Sequence, residues 1–174
     1  KDYILCATQD NTTRLLARNG SERITFNDVE YFTSPVNISR EGTIYAITNQ
    51  KKLWNANTKG EVQILNLPKL DTNSKILNYN NGYYIGNGDM ISYIDDKNNE
   101  VLDIQLDAPI KTLNLLEGYL SITTENSLYL IQEDEVLDGF PIDSDGLFNI
   151  SDIDNNGKVN IINIKNNVIY NYEL

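Results

Sequence analysis

Along most of this chain apolar and polar residues alternate in short runs. Examples are "TIYAIT" (43–48), "VQILNL" (62–67), "ILNYNNGYYIG" (76–86), "YLSITTENSLYLI" (119–131) and "VNIINIKNNVIYNY" (159–172). A period of two places successive side chains on opposite faces of a strand, and Ile, Val, Leu and Tyr suit a pleated, half-buried surface. Asn, Gly and Asp stand between the runs and mark tight turns. No window of about 12 residues carries the i, i+3, i+4, i+7 stripe of an amphipathic helix. The pattern predicts an all-β fold.

The turns recur. Glu41-Gly42, Asn81-Gly82, Glu117-Gly118 and Asn156-Gly157 are separated by 40, 36 and 39 residues. Each is followed by an apolar strand and then by a second one: "KLWNAN", "MISYID", "SLYLIQ" and "VIYNYE". Glu-Val pairs follow three of these, at Glu61-Val62, Glu100-Val101 and Glu135-Val136. "YILCATQDNTTRLLARNGSERITF" (3–26) fits the same frame without its leading strand. A four-stranded unit at this period is the pattern of a β-propeller blade, because one small sheet buries both faces only by stacking on others. The provisional blades are 1–28, 29–72, 73–107, 108–142 and 143–174 of a single repeat domain, the first lacking its opening strand and the last its closing one. Eighteen strands do not close a ring of five complete blades. The expectation is therefore a β-propeller-like array of four to five repeats, as a partial or truncated ring within a larger chain. The alternative is an open stack whose exposed faces are covered by upstream domains or a second copy.

Two stretches resemble known propeller repeats. "KKLWNANTKGEVQIL" (51–65), with Leu53, Trp54, Thr58, Gly60 and Val62 in comparable places, is similar to the PQQ-like, or quinoprotein-type, repeat, and "MISYIDDKNNEVLDI" (90–104) is a second copy without the Gly. Lys59 precedes Gly60 where that family has Thr-Gly-Lys. "GFPIDSDGLFNISDIDNNGKVNIINIKNNVIYNYEL" (139–174) resembles an FG-GAP-type blade. The style of the ending is similar to large envelope proteins of Bacteroidetes-like bacteria. The resemblance implies a propeller in a secreted, periplasmic or cell-envelope protein. It implies no quinone, because many propellers share the repeat without one.

Charge and composition narrow the partners. Asp and Glu total 25 against 14 Lys and Arg, for a net charge of −11, which repels nucleic-acid backbones and anionic membrane surfaces. There is no His, so no Ser–His–Asp or Cys–His centre can form within the chain. Cys6 is the single cysteine and reads as a small hydrophobe in a strand. No apolar stretch reaches the length of a membrane helix, so direct membrane insertion is not expected.

The loop "DIDNNGKVN" (152–160) offers a candidate calcium site. Its ligands would be the side chains of Asp152, Asp154, Asn156 and Asn160 with the backbone carbonyl of Lys158, around a bend at Gly157. Asn160 replaces the usual closing Asp, and Asn163 stands where an EF-hand has its bidentate Glu, so any Ca2+ would be weakly bound. Asp143 or Asp145 would have to add charge. The plain alternative is a hairpin turn in which Asp and Asn cap their own backbone. Trp54 reads as core rather than a sugar platform, and the acidic groups at 94–100 and 133–135 as solvated tips. Tyr83 and Tyr84 point to opposite faces, so one of them is expected to be exposed. Gly86 and Gly88 lack the third Gly and the helix of a dinucleotide fingerprint.

These features favour a non-catalytic scaffold with a protein or glycan partner. One alternative is a propeller hydrolase or lyase using carboxylates near a central channel. The strands read as inner ones, "YILCAT", "TIYAIT" and "YLSITT", carry no carboxylate. The other alternative is a structural C-terminal portion of a larger multidomain protein.

Overall fold

The computed structural model describes residues 3–7, 12–26, 31–39, 41–151 and 158–174. Their regular structure is all β, in small antiparallel sheets whose neighbouring strands are, with one exception, also neighbours in sequence. The first sheet holds β1 (Tyr3–Ala7), β2 (Thr13–Ala17) and β3 (Glu22–Phe26). The second holds β4 (Asn37–Ile38), β5 (Ile44–Ile47), β6 (Leu53–Ala56) and β7 (Val62–Leu65). The third holds β8 (Lys75–Tyr79), β9 (Gly82–Asn87), β10 (Met90–Ile94) and β11 (Glu100–Gln105). The fourth holds β12 (Thr112–Leu116), β13 (Tyr119–Thr123), β14 (Ser127–Gln132) and β15 (Glu135–Val136), with β16 (Ile142–Asp143) also paired to β14. The last holds β17 (Phe148–Ser151), β18 (Asn160–Lys165) and β19 (Val168–Glu173). "TIYAIT" and "YLSITT" supply β5 and β13, which stand second in their sheets, next to β4 and β12.

The turns show why these residues punctuate the strands. Asn80-Asn81 and Asn166-Asn167 take positive φ at both positions, the primed hairpin turn whose twist matches that of the strands, and Asn tolerates that region well. After β6 and β10 the chain turns on an Asx side chain. Asn57 Oδ1 accepts from the N–H groups of Lys59 (2.9 Å) and Glu61 (3.1 Å). Asp95 Oδ1 accepts from those of Lys97 (2.9 Å) and Asn99 (2.7 Å). The geometry of both turns needs only a short side-chain acceptor.

Two compact units divide the chain, one of Lys1–Ile85 with Tyr93–Val101 and one of Gly86–Ser92 with Leu102–Leu174. In the first, Leu15, Phe26, Ile44, Trp54 and Ala56 form one core, and Trp54 packs against the rings of Phe26 (5.3 Å between centroids, edge-on) and Phe32 (5.4 Å). Trp54 is thus core. A second cluster joins Tyr45, Ile47, Leu53, Leu67, Leu70, Ile76, Tyr83, Ile85 and Ile94. In the other unit Leu128, Leu130, Ile150 and Ile161 are buried, with Phe140, Phe148, Val159 and Tyr172 among the residues packed on them.

The expectation for Tyr83 and Tyr84 is corrected: both are buried. They do point to opposite faces, but β9 is covered on each. Tyr83 meets Tyr45 on one face, its hydroxyl accepting from Asn55 Nδ2 at 2.9 Å. Tyr84 lies against Tyr79 and Tyr93 on the other.

Candidate interaction surface

The third strand of each of the three middle sheets provides an internal comparison. β6, β10 and β14 are mostly buried, each flanked by a fourth strand. β19 holds the same position after β17 and β18, has the same kind of sequence, "VIYNYE", and among the described residues has no fourth strand beside it. Val168, Ile169 and Tyr170 are consequently exposed by 50%, 69% and 43%. Of β19 only Tyr172 packs on the buried cluster, and its ring stacks with that of Tyr170 at 6.4 Å.

The phase of the ladder defines the open edge. Asn166-Asn167 is a two-residue turn joining Lys165 to Val168, and at the far end the Leu174 N–H donates to the Val159 carbonyl (2.9 Å). Alternate residues of an antiparallel pair exchange both hydrogen bonds, so the backbone groups of Val168, Tyr170 and Tyr172 point to β18. Those of Ile169, Asn171 and Glu173 point outward. Sequence reasoning read "VIYNYE" as one more blade strand.

The calcium candidates fall partly outside this picture. Asp152, Asp154 and Asn156 lie outside the described residues. Lys158 forms an ion pair with Glu173 across the start of the β18–β19 hairpin, with both side chains about half exposed. Asn160 is buried on β18 opposite Ser151 and Glu173, its Nδ2 without a hydrogen-bond partner among the described residues. Asp145 is committed elsewhere: its carboxylate faces the Lys165 ammonium (3.5 Å) and accepts from the Asn166 N–H (2.7 Å). That is the opposite end of β18 from Asn160, about 17 Å away at strand rise. Among the described residues no three acidic or Cys side chains converge as a metal ion requires.

One further polar constellation has the look of chemistry. Asp107, in the loop after β11, accepts from Ser127 Oγ at 2.6 Å, and its own N–H donates to Tyr129 Oη at 3.1 Å. Burial pushes its carboxyl up, but hydrogen bonds from the hydroxyls around it more than offset this and hold it below the usual value. A carboxylate so stabilised is a poor base toward Ser127, and what the set does is tie the loop to β14.

No protein family and no curated protein matches this sequence. Solved structures do resemble the fold. Sqt1 of Saccharomyces cerevisiae, a WD40 propeller, superposes with a TM-score of 0.70 at 14% identity, over 98% of this chain and 54% of its own. A protein of unknown function from Bacteroides caccae gives 0.59 at 12% identity, over 95% of this chain and 68% of its own. BamB from Moraxella catarrhalis, a PQQ-like propeller, gives 0.57 at 11% identity, over 92% and 51%. The chain thus spans about half the length of Sqt1 and of BamB. Its sheets form a β-propeller-like array.

Proposed function

We propose that the chain is a non-catalytic interaction scaffold whose partner is a protein, in a secreted or cell-envelope setting. The observation that carries this reading is the exposure of Val168, Ile169 and Tyr170 on a strand whose counterparts in the other sheets are buried. Val168 and Tyr170 lie on one face of β19 and Ile169 on the other, and exposed apolar side chains on a strand of this kind favour an interaction surface. The propeller-like fold supports it, since stacked sheets present extended surfaces for binding. The extracytoplasmic setting is favoured by the resemblance of 139–174 to FG-GAP-type blades.

The test is capture by crosslinking in the cells that make the protein, with the natural chain and Ile169→Lys side by side. Proteins held by the first and lost from the second are the expected result. The same proteins retained by both would remove the role of this surface.

A further inference from the structure

Asn-x-Ser/Thr is the acceptor tripeptide for an N-linked glycan, which in an exported chain sits on a surface loop. The tripeptide starts at Asn11, Asn19, Asn37 and Asn149, and Asn11 lies outside the described residues. We propose that Asn19, at the tip of the β2–β3 hairpin, carries an N-linked glycan, and that the fold withholds Asn37 and Asn149. The inference rests on the secreted or cell-envelope setting proposed above and adds to it a modified residue.

The tip of that hairpin presents the side chain. Residues 18–21 connect β2 to β3, and all of them are exposed. The turn is closed by its own backbone: the Gly20 N–H donates to the Ala17 carbonyl and the Ala17 N–H to the Ser21 carbonyl, both at 2.8 Å. Gly20 supplies the positive φ (81°), and a Cβ placed there would meet nothing within 4 Å, so the tip stands in open space. Asn19 Oδ1 accepts from the Ser21 N–H at 3.1 Å and from the Ser21 hydroxyl at 2.8 Å. The oxygen of the carboxamide is thus held over the turn with the hydroxyl of the tripeptide on it, and Nδ2 is left on the solvent side. That nitrogen is the atom to which a glycan is joined.

The other two tripeptides are committed to sheets. Asn37 is half-buried on β4, where its Nδ2 donates to the Pro35 carbonyl at 3.1 Å and Ser39 Oγ accepts from the Thr43 N–H at 3.2 Å. Asn149 is exposed, but it and Ser151 belong to β17 and pair with Ile162 and Asn160 of β18. Extended backbone sets residues two apart at about 7 Å, so the Ser151 hydroxyl cannot reach the carboxamide as that of Ser21 does. Bending the chain around Asn149 would require the ladder to open first. Transfer at Asn19 forms a bond from Nδ2 to the anomeric carbon of a polyprenyl-phosphate-linked oligosaccharide. The bond from that carbon to the phosphate oxygen breaks, the polyprenyl phosphate leaves with the electron pair, and the amide proton passes to a base of the transferase.

The test uses the protein recovered from the cells that make it, sorted into exported and cytoplasmic fractions. An amidase that releases N-linked glycans, acting in heavy-oxygen water, turns each glycosylated Asn into a labelled Asp that peptide mapping locates. Label is expected at Asn19, with occupancy about tenfold lower at Asn37 and Asn149. A parallel digest without the amidase reads spontaneous deamidation at Asn19-Gly20, and equal label in that digest overturns the proposal. Ser21→Ala is expected to lose the glycan and Ser21→Thr to keep it, with thermal unfolding confirming that both variants are folded. A bare Asn19 in exported protein overturns the glycan and leaves the setting standing. A bare chain found only in the cytoplasm overturns both. Label at Asn37 or Asn149 equal to that at Asn19 overturns the selection by the fold.

Discussion

Gly82 is held by space rather than by backbone conformation. A Cβ at this position would collide with the Tyr93 hydroxyl and lie 2.5 Å from the Ile94 carbonyl oxygen. The Tyr93 hydroxyl is fixed there by donating to the Tyr79 carbonyl at 2.9 Å. Gly82→Ala is expected to cost about 1–3 kcal/mol, read as a lower denaturant midpoint. Tyr93→Phe in the same chain should recover only part of it, because the carbonyl remains. The sequence marked Gly82 as a turn residue, and the need for it was not legible there, since the atoms it would strike belong to a strand beyond the next turn. Tyr83 gives a second residue-scale expectation. Burial, then the neighbouring Tyr45 hydroxyl, raise its phenol to about 12, against the partial opposition of the Asn55 hydrogen bond. A proton lost near pH 10 in the unfolded chain is kept to about 12 in the folded one. The contribution is therefore whole below about 10 and lost as pH rises through about 12. Melting temperature should fall across that interval, and Tyr83→Phe should flatten the fall.

At the scale of the element, the hairpins were the most legible part of the molecule. Period-two runs bounded by Asn, Gly and Asp became strands, and Asn57 and Asp95 form the same capped turn although the residue differs. The β14–β15 hairpin is the exception, because Glu133 and Asp134 both take positive φ in a primed turn. Nothing in the acidic sequence "EDE" announces that conformation, which here is imposed by a short connection between paired strands. Replacing them with Asn and Gly, Glu133→Asn with Asp134→Gly, is expected to stabilise by about 1–2 kcal/mol and raise the melting temperature. The 152–160 loop yields an expectation of the opposite kind. With Asn160 buried on β18 and Asp145 held at the far end of that strand, excess chelator should leave the melting temperature unchanged. A calcium-dependent rise, about 2.7 kcal/mol at a hundredfold excess over Kd, that Asp152→Ala abolishes would instead establish a metal site. The exposure of β19 was legible only as a missing partner, because burial of a strand is decided by what lies beside it and not by its own composition.

For the whole molecule, the excess of 25 acidic over 14 basic residues is the dominant long-range term. Such a surplus opposes compaction through self-repulsion, which counter-ions screen. Raising NaCl from about 10 mM to about 200 mM shortens the Debye length from about 30 Å to about 7 Å and should raise the melting temperature by a few degrees. The repeat and its all-β character were readable across the chain, since each blade reuses one hairpin grammar. The division into two compact units was not, because it cuts through strands β9, β10 and β11 rather than between repeats. The way the strands are ordered has a consequence in time. Apart from β16, which pairs with β14, every strand pairs with the one made just before or after it. Loop-closure entropy is then small for each pairing, and contact order stays low for an all-β chain. Each hairpin can close as soon as its second strand leaves the ribosome, so the earliest sheets are formed while the last is still being synthesised.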